Sequence, residues 1–121
     1  MRPLALVVAD DDPERLRTAL VMAAAQAALG GQVSMFFQGA AVGLLRHPVA
    51  DPDEARQSGA GLPTLSQLLD EALGLGVMVA ACQSSLALLG MQADAFDARI
   101  MWSGMVSMLA ALDPESRLVV V

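Results

Sequence analysis

The only cysteine of the chain, Cys82, directly follows the apolar run 77–81 and precedes a short segment that predicts a helix. The first amides of a helix lack an intrahelical partner, so the N–H groups of Gln83, Ser84 and Ser85 can stabilise a negative sulfur. Such a position lowers the pKa of a thiol, and the thiolate is the form that attacks sulfur. Cys82 is therefore the candidate catalytic residue, because its thiolate can attack a sulfane sulfur or a disulfide.

The same position also suits a cysteine that does no chemistry. A buried cysteine packs as a small apolar residue and is inert. Position alone favours neither interpretation, so the alternative is a non-catalytic oligomeric module that binds a ligand or regulates, with a structural Cys82. A third alternative is a redox sensor that forms an intersubunit disulfide through Cys82.

Other polar residues follow the predicted strands at the same edge of the sheet. Ligands of parallel α/β sheets bind beyond the C-terminal ends of the strands. Gln38 and Gly39 come directly after the predicted strand 33–37, and the first turn after Cys82 is polar. The predicted ligand-binding residues are therefore Gln38, Gly39, Gln83, Ser84 and Ser85.

Two further groups have chemical potential and a simpler explanation. The run Asp10–Asp12 could bind Mg²⁺, but Asp12 followed by Pro13 is also typical of a helix N-terminus, which we favour. His47 beside Arg46 could act as a base or an anion contact, but an ordinary loop pair explains both residues. We predict no metal and no cofactor.

The composition excludes several classes of protein. With 121 residues, 55% of them hydrophobic, the chain fits a single domain over residues 1–121. It contains no lysine and no tyrosine, which excludes a P-loop and a Schiff-base enzyme. A net charge of -6 without a basic cluster argues against nucleic acid and anionic membranes as partners. One cysteine without a membrane span or secretory signal favours a cytoplasmic protein.

Apolar runs of strand length alternate with helical patterns along the chain. This alternation predicts an α/β fold, a three-layer α/β/α sandwich with a mostly parallel sheet of 4-5 strands and right-handed crossovers. The predicted strands are 4–9, 33–37, 77–81, 98–102 and 118–121, and the predicted helices are 13–29, 40–45, 64–73, 83–89 and 104–112.

Residues 46–62 interrupt this alternation. The segment is polar and rich in proline, glycine and aspartate. A loop of this length is uncommon in a compact domain and is usually a functional lid or a mobile excursion. We predict a mobile loop that shields Cys82.

The segment 76–91, GVMVAACQSSLALLGM, resembles the cysteine region of DsrE/DsrF-like proteins. In that family a buried strand ends in Ala-Cys, as at Ala81-Cys82, and a helix with serine follows and closes with Gly-Met or Gly-Ile, as at Gly90-Met91. The segment 33–45, VSMFFQGAAVGLL, looks like the second strand of the family with its glycine and short apolar helix. The resemblance extends over nearly the whole chain.

The resemblance implies a cytoplasmic sulfur relay in which Cys82 carries sulfur as a persulfide, as a sulfur carrier or sulfurtransferase. The implied partners are sulfur donor and acceptor proteins or small persulfides. The resemblance also implies a homo-oligomer, a trimer or hexamer. The family is sometimes described as peroxiredoxin-like, but no arginine lies near Cys82 in sequence and no second cysteine could resolve a sulfenic acid.

Overall fold

The computed structural model describes all residues 1–121, and its centre is a five-stranded sheet in the order β4-β3-β2-β1-β5. Every neighbouring pair of strands is parallel, which confirms the predicted α/β class. The inner strand β1 is buried throughout, as its unbroken apolar sequence predicts. The strands are β1 (Leu4–Val8), β2 (Val33–Phe37), β3 (Met78–Cys82), β4 (Met101–Ser103) and β5 (Arg117–Val120).

Helices connect the strands, and the first of them begins as the sequence predicts. The Asp12 carboxylate caps α1 by accepting from the Glu14 amide at 2.9 Å, and Thr64 and Gln67 form a capping box at α3. No helix is both long and apolar enough to cross a membrane. The helices are α1 (Pro13–Ala28), α2 (Glu54–Gly59), α3 (Leu65–Gly74), α4 (Gln83–Leu88) and α5 (Met105–Ala110), with 3-10 helices at Gly39–Leu45 and Ala93–Ala95.

The hydrophobic core lies between one face of the sheet and the helices α1 and α3. Leu6, Met35 and Val79 are paired across three neighbouring strands and are each only 1% exposed. Leu16 of α1 and Leu65 of α3 are fully buried in the same cluster. Right-handed crossovers place the connections from β1 through β4 on this face, which leaves only the connection through α5 for the other face.

The second face of the sheet is therefore only partly covered. Strand register and side-chain alternation place Met78, Met101, Leu118 and Val120 on this face. These four side chains are between 44% and 67% exposed. A cavity of about 770 Å³ opens between the sheet and α5, which has only six residues. This face is the least enclosed part of the apolar structure.

The segment 46–62 is not a loop throughout, because it contains α2. Its Asp51 carboxylate accepts hydrogen bonds from the Asp53 amide and from the Gln57 side chain, and Val49 and Gln57 are buried. These local bonds form a helical turn that the proline and glycine content obscured. The mobility of the segment stays a prediction.

Three further elements differ from the prediction in a boundary or in helix type, whereas the others shift by at most one residue at an end. The fourth strand begins at Met101 rather than at residue 98, because Asp97 accepts from the Arg99 amide and its carbonyl accepts from Ile100, which forms a turn. Helix α5 ends at Ala110, two residues early. The apolar helix predicted at 40–45 is a 3-10 helix.

Candidate functional site around Cys82

The candidate site lies where two adjacent strands end. Strands β2 and β3 are neighbours, with Phe37 paired to Ala81. The next residue of each chain segment, Gln38 after β2 and Cys82 at the end of β3, therefore emerges side by side at the C-terminal edge of the sheet. This edge is the usual location of ligand sites in parallel sheets.

Cys82 is the N-cap residue of α4. Its backbone is extended (φ -73, ψ 119), and its Sγ accepts a hydrogen bond from the amide of Ser85 at 3.4 Å. Serine, threonine, aspartate and asparagine usually hold this position with an oxygen. In this protein a sulfur atom accepts the capping hydrogen bond instead of an oxygen, and Cys82 is only 7% exposed. In the first turn of α4, the amide that would otherwise donate to a capping oxygen therefore donates to the sulfur.

Ser85 connects this turn to the neighbouring strand end. Its Oγ accepts a hydrogen bond from the amide of Gly39 at 2.9 Å, and the residue is 7% exposed. Gly39 has φ +62, a left-handed conformation that favours glycine. This turn aims the Gly39 amide across the strand ends, so Gly39, Ser85 and Cys82 form one hydrogen-bonded chain.

The pKa of the Cys82 thiol is lowered below its ordinary value. Burial raises the pKa, but hydrogen bonds from the Ser85 side chain and from the amides of Ser85 and Ser84 together exceed the effect of burial. Each of these groups stabilises the thiolate more than the thiol. The site therefore favours the nucleophilic form of the only cysteine in the chain.

The structure separates the predicted ligand-binding residues into two groups. Ser85 and Gly39 are in contact with each other at the sulfur site, whereas Gln83 and Ser84 are exposed on the first turn of α4. Gln38 is half-buried, and its Oε1 is buried without a hydrogen-bond partner. Among these five residues, the polar groups that act on the Cys82 sulfur belong to Ser85 and Ser84.

The 3-10 helix Gly39–Leu45 lies over this region, against α4 and the end of β3. The close approach is visible at Gly43, where an added Cβ would lie 3.8 Å from both Leu89 and Met91. The contacts of the segment 46–62 run elsewhere: the His47 amide donates to the Ala95 carbonyl. The 3-10 helix therefore packs beside the strand–helix junction at Cys82, and shielding of the sulfur by residues 46–62 stays a prediction.

A second polar cluster was not foreseen from the sequence. The Arg99 guanidinium contacts Asp97 and Asp70, each at 2.8 Å, beside a cleft of about 240 Å³ that His47 and Ser66 also line. Hydrogen bonds from Arg99 lower the pKa of Asp97 to about 2. Arg99 is two residues from one partner and 29 from the other in sequence, so only the first pairing has a local signal.

The acidic run after β1 is engaged in helix capping and ion pairing. Besides the cap on α1, Asp12 and Asp10 lie 3.9 Å and 3.7 Å from the Arg15 guanidinium. No group of three or more histidine, cysteine, aspartate or glutamate side chains has an arrangement that could hold a metal ion. Capping is the role that the structure shows for Asp12.

Comparison with known proteins decides the family. The model of the DsrE/DsrF-like family matches residues 3–121. The chain belongs to the DsrE/DsrF-like family. The match includes every strand, the 3-10 helix after β2 and the strand–helix junction at Cys82, so the resemblance seen in segments 33–45 and 76–91 is confirmed.

Solved structures show that the DsrE/DsrF-like fold extends over the whole chain. A protein of unknown function from Methanobacterium thermoautotrophicum, MTH1491, is similar with a TM-score of 0.75 and 17% identity, over 100% of both chains. The ychN protein from E. coli is similar with a TM-score of 0.74 and 14% identity, also over 100% of both chains. No curated protein matches the sequence. At these identities the likeness concerns the fold.

Proposed function

We propose that this DsrE/DsrF-like protein is a sulfur carrier in which Cys82 accepts and passes on sulfane sulfur. The observation that carries the proposal is the placement of Cys82 Sγ at the strand–helix junction, under the amide of Ser85 and with a lowered thiol pKa. Family membership supports a sulfur-relay role. The proposed chemistry is that of a sulfurtransferase half-reaction on a single cysteine.

The two steps conserve atoms and charge. The Cys82 thiolate attacks the outer sulfur of a donor persulfide, R–S–SH; the new Cys82 S–S bond forms as the donor S–S bond breaks, and the donor leaves as a thiolate. An acceptor thiolate then attacks the outer sulfur of the Cys82 persulfide and releases the Cys82 thiolate. No net oxidation occurs, and one cysteine is sufficient because donor and acceptor are separate molecules.

The burial of Cys82 limits which molecules can react with it. With 7% of the residue exposed, only a donor that places its sulfur at the strand ends can reach Sγ. Small persulfides and a persulfide on a protein segment that fits this edge are the proposed donors, and thiols of the same kinds are the proposed acceptors. Gln38, Gly39, Gln83 and Ser84 are proposed to contact them.

The same burial supports the second candidate function, a non-catalytic module with a structural cysteine. Cys82 belongs to the buried core cluster, where a cysteine packs as an apolar residue. The two candidates differ in the reactivity of the folded protein. A structural cysteine predicts slow alkylation of Cys82, no faster than that of an ordinary free thiol.

Whole-protein mass spectrometry after incubation with a small persulfide donor tests the proposal. We expect a mass gain of one sulfur on the wild-type protein that dithiothreitol removes, and no gain on Cys82→Ser. Serine keeps an oxygen cap on α4, so this variant removes the sulfur without removing the cap. Thr18→Ala is the matched control, because that hydroxyl is exposed on α1 and bonds only to the Glu14 carbonyl, and it should load like wild type. Loading of Cys82→Ser, or no loading of wild type, contradicts the proposal.

We also propose that the protein is a homo-oligomer, and family resemblance favours a trimer or hexamer. Parallel sheets are normally covered on both faces, and here Met78, Met101, Leu118 and Val120 remain exposed beside α5. They form two exposed apolar areas, one on β3 and β4 and one on β5, separated by the buried side chains of β1 and β2, and exposed apolar areas are typical of interfaces. The proposed location is the cytoplasm, where a lone thiol stays reduced, and a net charge of -6 disfavours nucleic acids and anionic membranes as partners.

A further inference from the structure

Ser85 stands out among the buried polar residues. The buried polar side chains are those of Gln26, Gln57 and Ser85. Gln26 donates to the Arg2 carbonyl and accepts from Arg117, which ties the two ends of the chain to α1, and Gln57 donates to the Asp51 carboxylate within its own segment. The Ser85 contacts lead instead to the reactive sulfur and to the neighbouring strand end, so its burial has a different explanation.

The hydrogen bond from Gly39 sets the direction of the Ser85 hydroxyl. A hydroxyl has one hydrogen to donate and lone pairs that accept. Because the Gly39 amide donates to Oγ at 2.9 Å, the hydroxyl hydrogen must point away from that amide. The amide of Ser85 donates to Cys82 Sγ at 3.4 Å, which places Ser85 directly beside this sulfur. Hydrogen bonds in series strengthen one another in a buried site.

We propose that Ser85 is a positioning residue for Cys82, whose hydroxyl is oriented by the Gly39 amide and donates its hydrogen to the sulfur as the thiol loses its proton to water. This inference rests on the proposed role of Cys82 as the reacting group. Ser84 provides the contrast, because its side chain is exposed and only its backbone amide acts on the sulfur.

The first test compares the pH dependence of Cys82 alkylation in Ser85→Ala, Ser84→Ala and wild type. We expect the midpoint for Ser85→Ala at higher pH, with alkylation at neutral pH slower by about tenfold or more for the loss of one hydrogen bond to a charged group. Ser84→Ala should keep the wild-type midpoint, and Ser85→Thr, which retains the hydroxyl, should restore it. An unchanged midpoint in Ser85→Ala, or an equal change in Ser84→Ala, overturns the proposal.

A second test uses the unaltered sequence and remains decisive if Ser85→Ala does not fold. Ionisation of Cys82 should be transmitted through the Ser85 hydroxyl to the Gly39 amide. We expect the NMR resonance of the Gly39 amide proton to titrate with the same midpoint as the thiol in wild type and to stay constant over that range in Cys82→Ser. A Gly39 resonance that does not follow the thiol overturns the proposal.

Neither test uses a sulfur donor, so a failure of the Ser85 proposal can be told apart from a failure of the sulfur-carrier proposal. If the midpoint and the Gly39 resonance behave as expected but no sulfur is loaded, Ser85 tunes a thiol with another role and the sulfur-carrier function is wrong. If sulfur is loaded but the Ser85 variants keep the wild-type midpoint, the carrier function holds and Ser85 is a structural residue.

Discussion

At the scale of single residues, a sulfur atom in place of an oxygen changes what the N-cap residue of a helix can do. The N-cap position of α4 would stabilise the helix with a serine or aspartate oxygen. With Cys82 in this position, the same amides that cap the helix stabilise a thiolate. The structural and chemical roles of the residue therefore share one set of hydrogen bonds.

Asp97 gives a residue-scale prediction about stability and pH. Hydrogen bonds from Arg99 hold the pKa of Asp97 at about 2, below the ordinary 3.8. Because the folded-state pKa is the lower one, the ionised carboxylate stabilises the fold above the ordinary value, and this contribution is lost as the pH falls through about 2. We expect Asp97→Asn to lower the free energy of unfolding at neutral pH by about 1 kcal/mol or less, and the difference from wild type to vanish near the lower pKa.

Urea unfolding at a series of pH values measures this difference. Asp94→Asn is the control, because Asp94 is exposed and the same charge is removed where no ion pair forms. A loss of stability in Asp97→Asn that is the same at acidic and neutral pH would exclude the ion pair as its cause.

At the scale of elements, the helix starts set the positions of the site residues. The capping box of α3 satisfies two amides: the Thr64 hydroxyl accepts from the Gln67 amide at 3.2 Å, and the Gln67 side chain accepts from the Thr64 amide at 2.8 Å. Helix α3 in turn packs against α1 and supplies much of the core. Its start therefore affects the stability of the whole sheet.

Thr64→Ala is expected to lower the free energy of unfolding by about 1 kcal/mol, because two amides at the start of α3 lose their partner or their geometry. Chemical denaturation with circular dichroism measures this. Thr18→Ala is the matched control: Thr18 lies inside α1, is exposed and bonds only to the Glu14 carbonyl, and alanine favours helix. Equal losses for the two variants would show that the box does not stabilise α3.

At the scale of the whole molecule, the strand order leaves one face of the sheet with little cover. Strands β1 to β4 follow one another across the sheet in one direction, and the helices that connect them lie on one face of the sheet. Only α5 therefore remains to cover the other face. A helix of six residues is about 9 Å long, whereas five strands span about 20 Å. The exposed apolar side chains of this face are the consequence.

The proposed oligomer makes a prediction for this face. Met78→Asp and Val120→Asp place a charge on the exposed face and should convert the wild-type oligomer to a smaller species in light scattering, with a native circular dichroism spectrum. Leu62→Asp is the control, because Leu62 is 51% exposed in the segment 46–62 and not on the sheet. A monomeric wild type, or an unchanged mass in both sheet variants, contradicts the proposed interface.

Local patterns in the sequence determined the elements and the position of the proposed reactive residue. The apolar runs of β1 and β2, the Asp12 cap and the Thr64 box depend on neighbours within a few residues, and each is present in the structure. The position of Cys82 after a strand and before a helix is local in the same sense. The bond of Asp51 to Gln57 within the segment 46–62 is also short-range, but proline and glycine obscured the helix that it accompanies.

Contacts between distant segments were decided only by the tertiary structure. Gly39 and Ser85 are 46 residues apart, and their hydrogen bond exists because β2 and β3 are neighbours in the sheet. The pairing of Arg99 with Asp70, across 29 residues, depends on the same packing. Alternation of strands and helices predicts a parallel sheet but not the order of its strands, and that order sets both the polar contacts of the sulfur and the face left exposed.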